Sequence, residues 1–420
     1  YLRATGIFMA NEIIITICTL LLVAYVFDLT ASTTKIPSVI LLLGLGYLVN
    51  HAAMMFKIGI PDLSPLLPVF GTVGLILIVL EGSLELDLKE STIPIIKKSL
   101  FMAFVPMMIF AFGLGYAFHV FGGFGWRESL TNAIPFSIIS SAIAIPSVSN
   151  LGQDRKSFVI YESSLSDIFG VIFFNFLVRN PEVNVASFID FFFQIIIIFV
   201  ISVLATIGLS IMLRKLKHHI KFGPILILVV LIYAVSKLYH LPGLLFIMLF
   251  GLSIGNLDKL KENKWVSRLK PLRMKREVFR FKDIVIEATF LIRVLFFLLF
   301  GFLIQTEEIL NLETLKWAGA IVGAVVLLRA ITLLVLRSDV LPLMFIAPRG
   351  LITILLFVLI PADEMIPFVN RSLVIQVILL SVIVMMLGLM FTKRKKTSEK
   401  IVHVFSDQGT SIENSENKGD

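Results

Sequence analysis

The sequence predicts an all-α polytopic membrane protein of about thirteen transmembrane helices, built as two inverted six-helix repeats whose broken fifth and twelfth helices cross at mid-membrane. Three observations predict it. Of 420 residues, 57% are hydrophobic and only 16% are charged, where soluble domains carry about 25% charged residues. Runs of roughly 20 apolar residues, each able to cross a hydrocarbon core of about 30 Å as a helix, recur along the chain. Two of these runs look broken, at prolines set among serines in one and beside an Arg-Gly in the other, and they stand seven runs apart.

In order, the runs cover residues 12–28, 36–50, 65–86, 94–119, 131–152, 156–178, 186–213, 222–237, 242–257, 283–304, 314–337, 341–360 and 371–392. The fifth, "IPFSIISSAIAIPSVSNLG", holds Pro135, Pro146 and several serines; the twelfth, "LPLMFIAPRGLITILLFVLIP", holds Pro342 and an internal Pro348-Arg349-Gly350. A proline removes a backbone donor and disrupts the preceding turn, so each run leaves carbonyls and helix ends exposed at membrane depth. Seven is an odd offset, so two six-helix units related by it are inverted. Inverted repeats with discontinuous helices crossing at the midplane are a recurring plan of secondary transporters, with ions bound at the crossing.

The net charge of +8 reflects topology, and no nucleic-acid partner is expected. With the N-terminus outside, the loops after odd-numbered spans and the C-terminal tail hold 27 of the 37 Lys and Arg, a positive-inside bias that fits a plasma-membrane (bacterial inner-membrane) protein with a cytoplasmic C-terminus. The first run lacks a basic n-region and a small-residue cleavage site, so it reads as a span and not a removed signal. Cys18 is the single cysteine, which excludes a disulfide framework. The basic segment 258–282 divides the chain and reads as an inside anchor, with an anionic-lipid or regulatory site as the sharper alternative. Residues 393–420, rich in Lys, Ser, Glu and Asn, are expected to be a disordered cytoplasmic tail. The six histidines fall mostly in loops or near helix ends; His218 and His219 are ordinary loop residues or cytoplasmic pH sensors.

Residues 161–170, "YESSLSDIFG", place Glu162 and Asp167 inside the sixth span. A charge at the bilayer centre costs about 2.5–3.5 kcal/mol on insertion scales, so a pair of them demands a function. At about 100° per residue, Ser163 and Asp167 share a helix face with Ser166 and Gly170 beside them, while Glu162 points about 140° away from Asp167. Asp167 with Ser163 and Ser166 makes an oxygen-lined site suited to a hard cation. A carboxylate taken out of water favours its protonated form and a bound cation favours the ionised one. One group that must hold either provides exchange coupling. The bland alternative is that both carboxylates pair with the intramembrane Arg293, Arg329 and Arg349 to hold the bundle together. Glu81 in "LILIVLEGSLELD" is also at membrane depth, as a member of the ion shell or as a packing or interfacial charge; Glu287 reads as a solvated charge at a helix start.

These segments resemble the monovalent cation:proton antiporter superfamily of sodium/proton exchangers over nearly all of residues 12–392. "ESSLSD" is similar to the Glu-Ser-x-x-Asn-Asp signature of its electroneutral branch, "LEGSLELDLKE" to a third-span pattern ending in Leu-x-Leu-Asp, "APRGLI" to the Arg-Gly pattern of the broken twelfth helix, and "LLRAITLL" to the eleventh-span segment. The resemblance implies a mobile core (about 94–178 and 314–392) working against dimerisation helices (about 12–86 and 186–304), with elevator-like alternating access. It makes Asp167 the ion- and proton-binding aspartate, Ser163 a sodium ligand, Glu162 and Arg329 a structural ion pair, Arg349 the charge that compensates half-helix ends at the crossing, and Glu81 the third-span acid near the ion. Three departures stand out. Ser166 replaces the Asn or Asp of the signature. Ala144-Ile145-Pro146 replaces a Thr-Asp-Pro, leaving only backbone carbonyls of Ala144 and Ile145 for the ion. Arg293 occupies a tenth-span position where electrogenic relatives carry a basic residue, so it could pair with an ion-free Asp167.

What the resemblance implies is a homodimeric antiporter that carries sodium and protons as substrates, needs no cofactor, contacts only lipid and small ions besides its twin, and serves sodium transport and pH homeostasis without enzymatic chemistry. Potassium or an organic anion is the alternative substrate, and a gated cation channel the alternative class. An intramembrane aspartyl hydrolase would need a second mid-span aspartate, and Asp87, Asp283 and Asp339 stand near helix ends.

Overall fold

The structure, a computed structural model, describes residues 15–391 except 17, 31–35, 58–59, 61, 87, 89–91, 149–150, 216–221, 240 and 257–270. Most of the basic segment, His218, His219, His240, Asp87 and the tail with His403 therefore lie outside the described residues. Among the described residues all regular structure is helical. Among the described residues, nine helices, counting the broken fifth span as one, are long and apolar enough to cross a membrane.

Helices α1 (Cys18–Thr30), α2 (Ser38–Met55) and α3 (Leu66–Glu85) open the chain. Then come α4 (Ile93–Gly122), the halves α5 (Trp126–Ser137) and α6 (Ser141–Ser147), and α7 (Gln153–Arg179), followed by α8 (Val185–Lys215), α9 (Phe222–Leu238), α10 (Gly243–Gly255) and α11 (Pro271–Phe302). A short α12 (Thr306–Leu310) leads into α13 (Leu312–Val335); after a 3-10 turn at Leu343–Phe345 the chain ends in α14 (Leu351–Val358) and α15 (Arg371–Phe391). Every one of the thirteen expected spans has a helical counterpart, although the twelfth is helical only over Leu351–Val358 and the 3-10 turn.

Two boundaries differ from the sequence expectation for physical reasons. Helix α5 starts at Trp126, five residues early, because the polar "WRES" that looks like a loop is a capped first turn: the Glu128 carboxylate accepts the Gly125 amide at 3.2 Å. Helix α11 begins at Pro271, well before the apolar run, so part of the basic segment continues the helix; proline is tolerated there because a first-turn N–H has no helical partner.

Packing sorts the helices into two groups. Helices α4, α5, α6 and α7 pack on one another and, through α4, on α13, which packs on α15; α11 packs on α2 and α3, and α10 on α3, α8 and α9. Helix α3 touches both groups, meeting α6, α7 and α14. Helix α8 is strongly apolar over Val185–Leu209 yet only 17% of that span's most apolar stretch is buried, so its surface is suited to hydrocarbon rather than water. The break in the fifth span, by contrast, is enclosed: Ser129 to Ala144 are buried without exception.

Candidate functional site

The fifth span breaks at residues 138–140, between its two prolines and at neither of them. Its freed amides explain why. Ile139 donates to the Ser166 hydroxyl at 3.0 Å, Ser140 to the Pro348 carbonyl of the other broken span at 2.9 Å, and Ser141 to Asp167 Oδ2 at 3.3 Å. Three consecutive N–H groups thus find partners outside their own helix, two on α7 and one on the opposite break, and the two broken spans meet backbone to backbone.

Arg349 closes the crossing. Its guanidinium donates to the carbonyls of Phe136 (2.8 Å), Ser137 (3.4 Å) and Ala347 (2.7 Å), and its amide donates to Ser381 Oγ at 2.9 Å. Phe136 and Ser137 are the last residues of α5, where carbonyls lack helical partners and the helix dipole is negative. Charge compensation of a half-helix end is therefore what Arg349 is positioned to supply. A cavity of about 20 Å³, lined in part by Ser137, Ser166, Arg329 and Arg349, has room for one water.

Asp167 is wholly buried on α7. Its Oδ2 accepts the Ser141 hydroxyl and the Ser141 amide, while Oδ1 has no partner among the described residues. Ser166 and Ser163, expected beside it, are engaged elsewhere: Ser166 Oγ takes the Ile139 amide, and Ser163 Oγ points back to the Ile160 carbonyl at 3.5 Å. On α6, Ala144 is buried and Ile145 partly so. The Ile145 carbonyl accepts the Val148 amide, and Ser141, one turn upstream, meets Asp167 because α6 begins there. Ser141 is the residue that sequence reasoning missed; the signal was the Ser140-Ser141 pair between the two prolines.

Glu162, also buried, accepts from both terminal nitrogens of Arg329, Nη2 at 2.7 Å from Oε2 and Nη1 on Oε1, and Arg329 Nε donates to the Leu343 carbonyl at 2.6 Å. The structure thus brings Glu162 and Arg329 together in a bidentate pair joining α7, α13 and the 3-10 turn. It does not bring Arg293 or Glu81 to Asp167. Arg293 on α11 lies 3.9 Å from Asp28, and the groups that act on Glu81 are Arg293, Glu85, Lys282 and Thr289. The expectation that Arg293 compensates charge at the crossing is corrected here. Its helix, α11, packs chiefly on α2 and α3, and its guanidinium lies beside Asp28 of α1.

The comparisons with known proteins agree with this architecture. The family profile described as "Sodium/hydrogen exchanger, transmembrane" matches residues 17–393. The structure of the sodium proton antiporter MjNhaP1 from Methanocaldococcus jannaschii at pH 8 is similar over 90% of this chain and 99% of its own, with a TM-score of 0.67 at 18% identity. An electron-microscopy structure of the same antiporter is similar over 92% and 99%, with a TM-score of 0.66 at 19% identity. No curated protein sequence matches. Nine-tenths of the chain, including both broken spans and α7, falls within the matched profile, and the chain belongs to the sodium/hydrogen exchanger family.

Proposed function

We propose that this multi-pass protein is a homodimeric plasma-membrane antiporter that moves sodium outward and protons inward, one for one, with Asp167 holding either in turn. Family membership supports cation and proton exchange, and the antiporter whose fold it shares is named for sodium. One observation carries the assignment of the site: a fully buried carboxylate at the crossing of two broken helices, with one oxygen unpartnered and no Lys or Arg paired to it among the described residues. A buried charge without a counter-ion is expensive, so Asp167 is stable with a proton or with a cation, and the exchange of one for the other is the coupled step. Helices α4–α7 with α13–α15 form the moving core; α1–α3 with α8–α11 form the dimerisation part; the N-terminus is outside. Arg293 lies beside Asp28 and, among the described residues, no Lys or Arg is paired with Asp167, which favours electroneutral exchange.

The test is sodium-dependent dequenching of a pH-sensitive dye in proteoliposomes, repeated with lithium and potassium and with the membrane potential clamped. Sodium should drive proton flux that is independent of the clamped potential, and Asp167→Asn should abolish it. Full activity in Asp167→Asn would sink the proposal. A larger response to potassium would reassign the ion, and flux without proton coupling would support a channel instead.

A further inference from the structure

Asp167 is sealed in this structure, but the two directions along α7 are sealed differently. Toward the C-terminal end the closure is tight: Gly170 lies so close to Ile138, at the α5–α6 break, that a Cβ at position 170 would collide with the isoleucine. Toward the N-terminal end a cavity of about 180 Å³ opens between the two packing groups, with Gln153, Ser157 and Tyr161 of α7 on one wall and Glu85 and Lys282 of α3 and α11 on the other. Glu85 and Lys282 neutralise one another at 3.4 Å.

Positions 153, 157, 160, 164 and 167 are spaced four, three, four and three apart, which places them on one face of a helix. The face that lines the cavity with Gln153 and Ser157 therefore runs down to Asp167, about 15 Å from Ser157 at 1.5 Å per residue. Only Ile160 and Ser164 intervene. Ile160, Tyr161 and Leu86 form a small apolar cluster separate from the main core, with Ile145 and Leu252 packed against it. Ser164 is fully buried and its hydroxyl has no partner among the described residues. It faces Gly82 of α3, where an added Cβ would lie 3.0 Å from Ser164 Oγ, so the absence of a side chain at 82 leaves that hydroxyl its room.

We infer that this stripe of α7 is the ion's access route to Asp167, gated by the Leu86, Ile160 and Tyr161 cluster, with Ser164 as an oxygen ligand between gate and site. The inference rests on the assignment of Asp167 as the exchange site. The gate is assembled from both packing groups, Leu86 following α3 and Ile160 and Tyr161 on α7, so a slide of one group past the other parts it. A cation that leaves the water of the cavity meets the unpaired Ser164 oxygen one turn before the carboxylate, which shortens the distance it travels without a polar partner. Under the proposed orientation this route opens to the cytoplasm.

The test uses Cys18→Ser as background, with single cysteines at Ser157 or Ser164 in the full chain, reconstituted in proteoliposomes and exposed to a membrane-impermeant cationic thiosulfonate. Labelling is read by gel shift, independently of transport. Ser157→Cys should label readily. Ser164→Cys should label at least ~10-fold more slowly, and opening the gate by Ile160→Ala, or from the other wall by Leu86→Ala, should raise its rate ~10-fold or more, the factor that 1.4 kcal/mol of lost closing energy confers. Ile160→Val, a smaller cut, serves if the alanine variants do not assemble. A Ser164→Cys rate indifferent to all three substitutions, or equal to that of Ser157→Cys in the ungated background, would overturn the gate. Gated labelling in a protein without sodium-driven proton flux would leave the gate standing and remove the antiport assignment; antiport with an inert Ser164→Cys in every background would do the reverse.

Discussion

Glu162 and Asp167 lie five residues apart on one helix, both buried, and their surroundings are opposite. Glu162 receives two guanidinium hydrogen bonds from Arg329, which is itself fixed to the Leu343 carbonyl. Asp167 receives a hydroxyl and an amide from Ser141 on one oxygen and nothing from the described residues on the other. A carboxylate saturated by a resident cation has no capacity for another ion, and the bidentate fork makes it a fixed joint between helices. A carboxylate given only neutral donors must take its counter-charge from a passing ion or a proton. About 140° of helix rotation separates the two, and that rotation divides structure from exchange.

Removing a partner should expose the contrast most strongly at the joint. Arg329→Ala strands the Glu162 carboxylate and should lower stability by about 3–5 kcal/mol, read as a fall in the thermal midpoint in detergent. Glu162→Gln combined with Arg329→Met should recover much of that loss, because neither charge is then stranded. Asp167→Asn should do the opposite: it strands no partner charge and leaves an amide oxygen to accept the Ser141 donors, so the midpoint should hold or rise. Sodium at a hundred times its dissociation constant should stabilise the parent by about 2.7 kcal/mol and Asp167→Asn not at all. If Asp167→Asn melted as early as Arg329→Ala, the two carboxylates would be alike and the distinction between joint and site would fail.

Much of this division was legible in the residues. The charged fraction and the recurring apolar runs set the membrane fold, prolines set among serines or beside Arg349-Gly350 marked the two broken spans, and helical periodicity alone turned Glu162 away from Asp167. What the sequence could not show depends on contacts between elements. Ser141 reaches Asp167 only because α6 starts at 141 and its first amide points across to α7. Arg293 faces Asp28 because α11 packs against the opening helices, a tertiary choice invisible in an isolated apolar run. Ser163 does share the face of Asp167, but periodicity fixes the position of a Cβ and not the rotation of a hydroxyl, which turns back to Ile160.

The donor to Asp167 gives a smaller and sharper test. Ser141→Ala removes the hydroxyl and leaves the amide at 3.3 Å as the remaining protein donor. The carboxylate is then less rigidly placed, and the oxygen that could join the cation shell is gone. Sodium affinity, measured as the concentration giving half-maximal dye response, should weaken ~10-fold, the worth of one hydrogen bond of about 1.4 kcal/mol. Ser141→Thr keeps the hydroxyl and should stay near the parent. Ser163→Ala, whose hydroxyl is spent on its own helix, should change the half-maximal concentration less than Ser141→Ala; the reverse order would move the ion from the α6 side of Asp167 to the Ser163 side.

The smallest effect belongs to a second bridge in the same place. Arg155, in the first turns of α7, donates to Asp339 beyond the end of α13 through Nε at 3.0 Å and Nη2 at 2.6 Å. It therefore joins nearly the same two stretches of chain as Glu162 and Arg329, also with two hydrogen bonds though both on one oxygen, but its side chains are 32% and 62% exposed where the buried pair is 4% and 1%. Water competes for both partners at the exposed bridge and salt screens them. Arg155→Ala should cost at most about 1 kcal/mol, and that cost should shrink further as ionic strength rises, whereas the loss in Arg329→Ala should be nearly indifferent to salt. Burial, not the pairing of α7 with α13, then sets the stability of the core. A salt-independent loss for Arg155→Ala matching that of Arg329→Ala would mean that the position of the bridge matters and its desolvation does not.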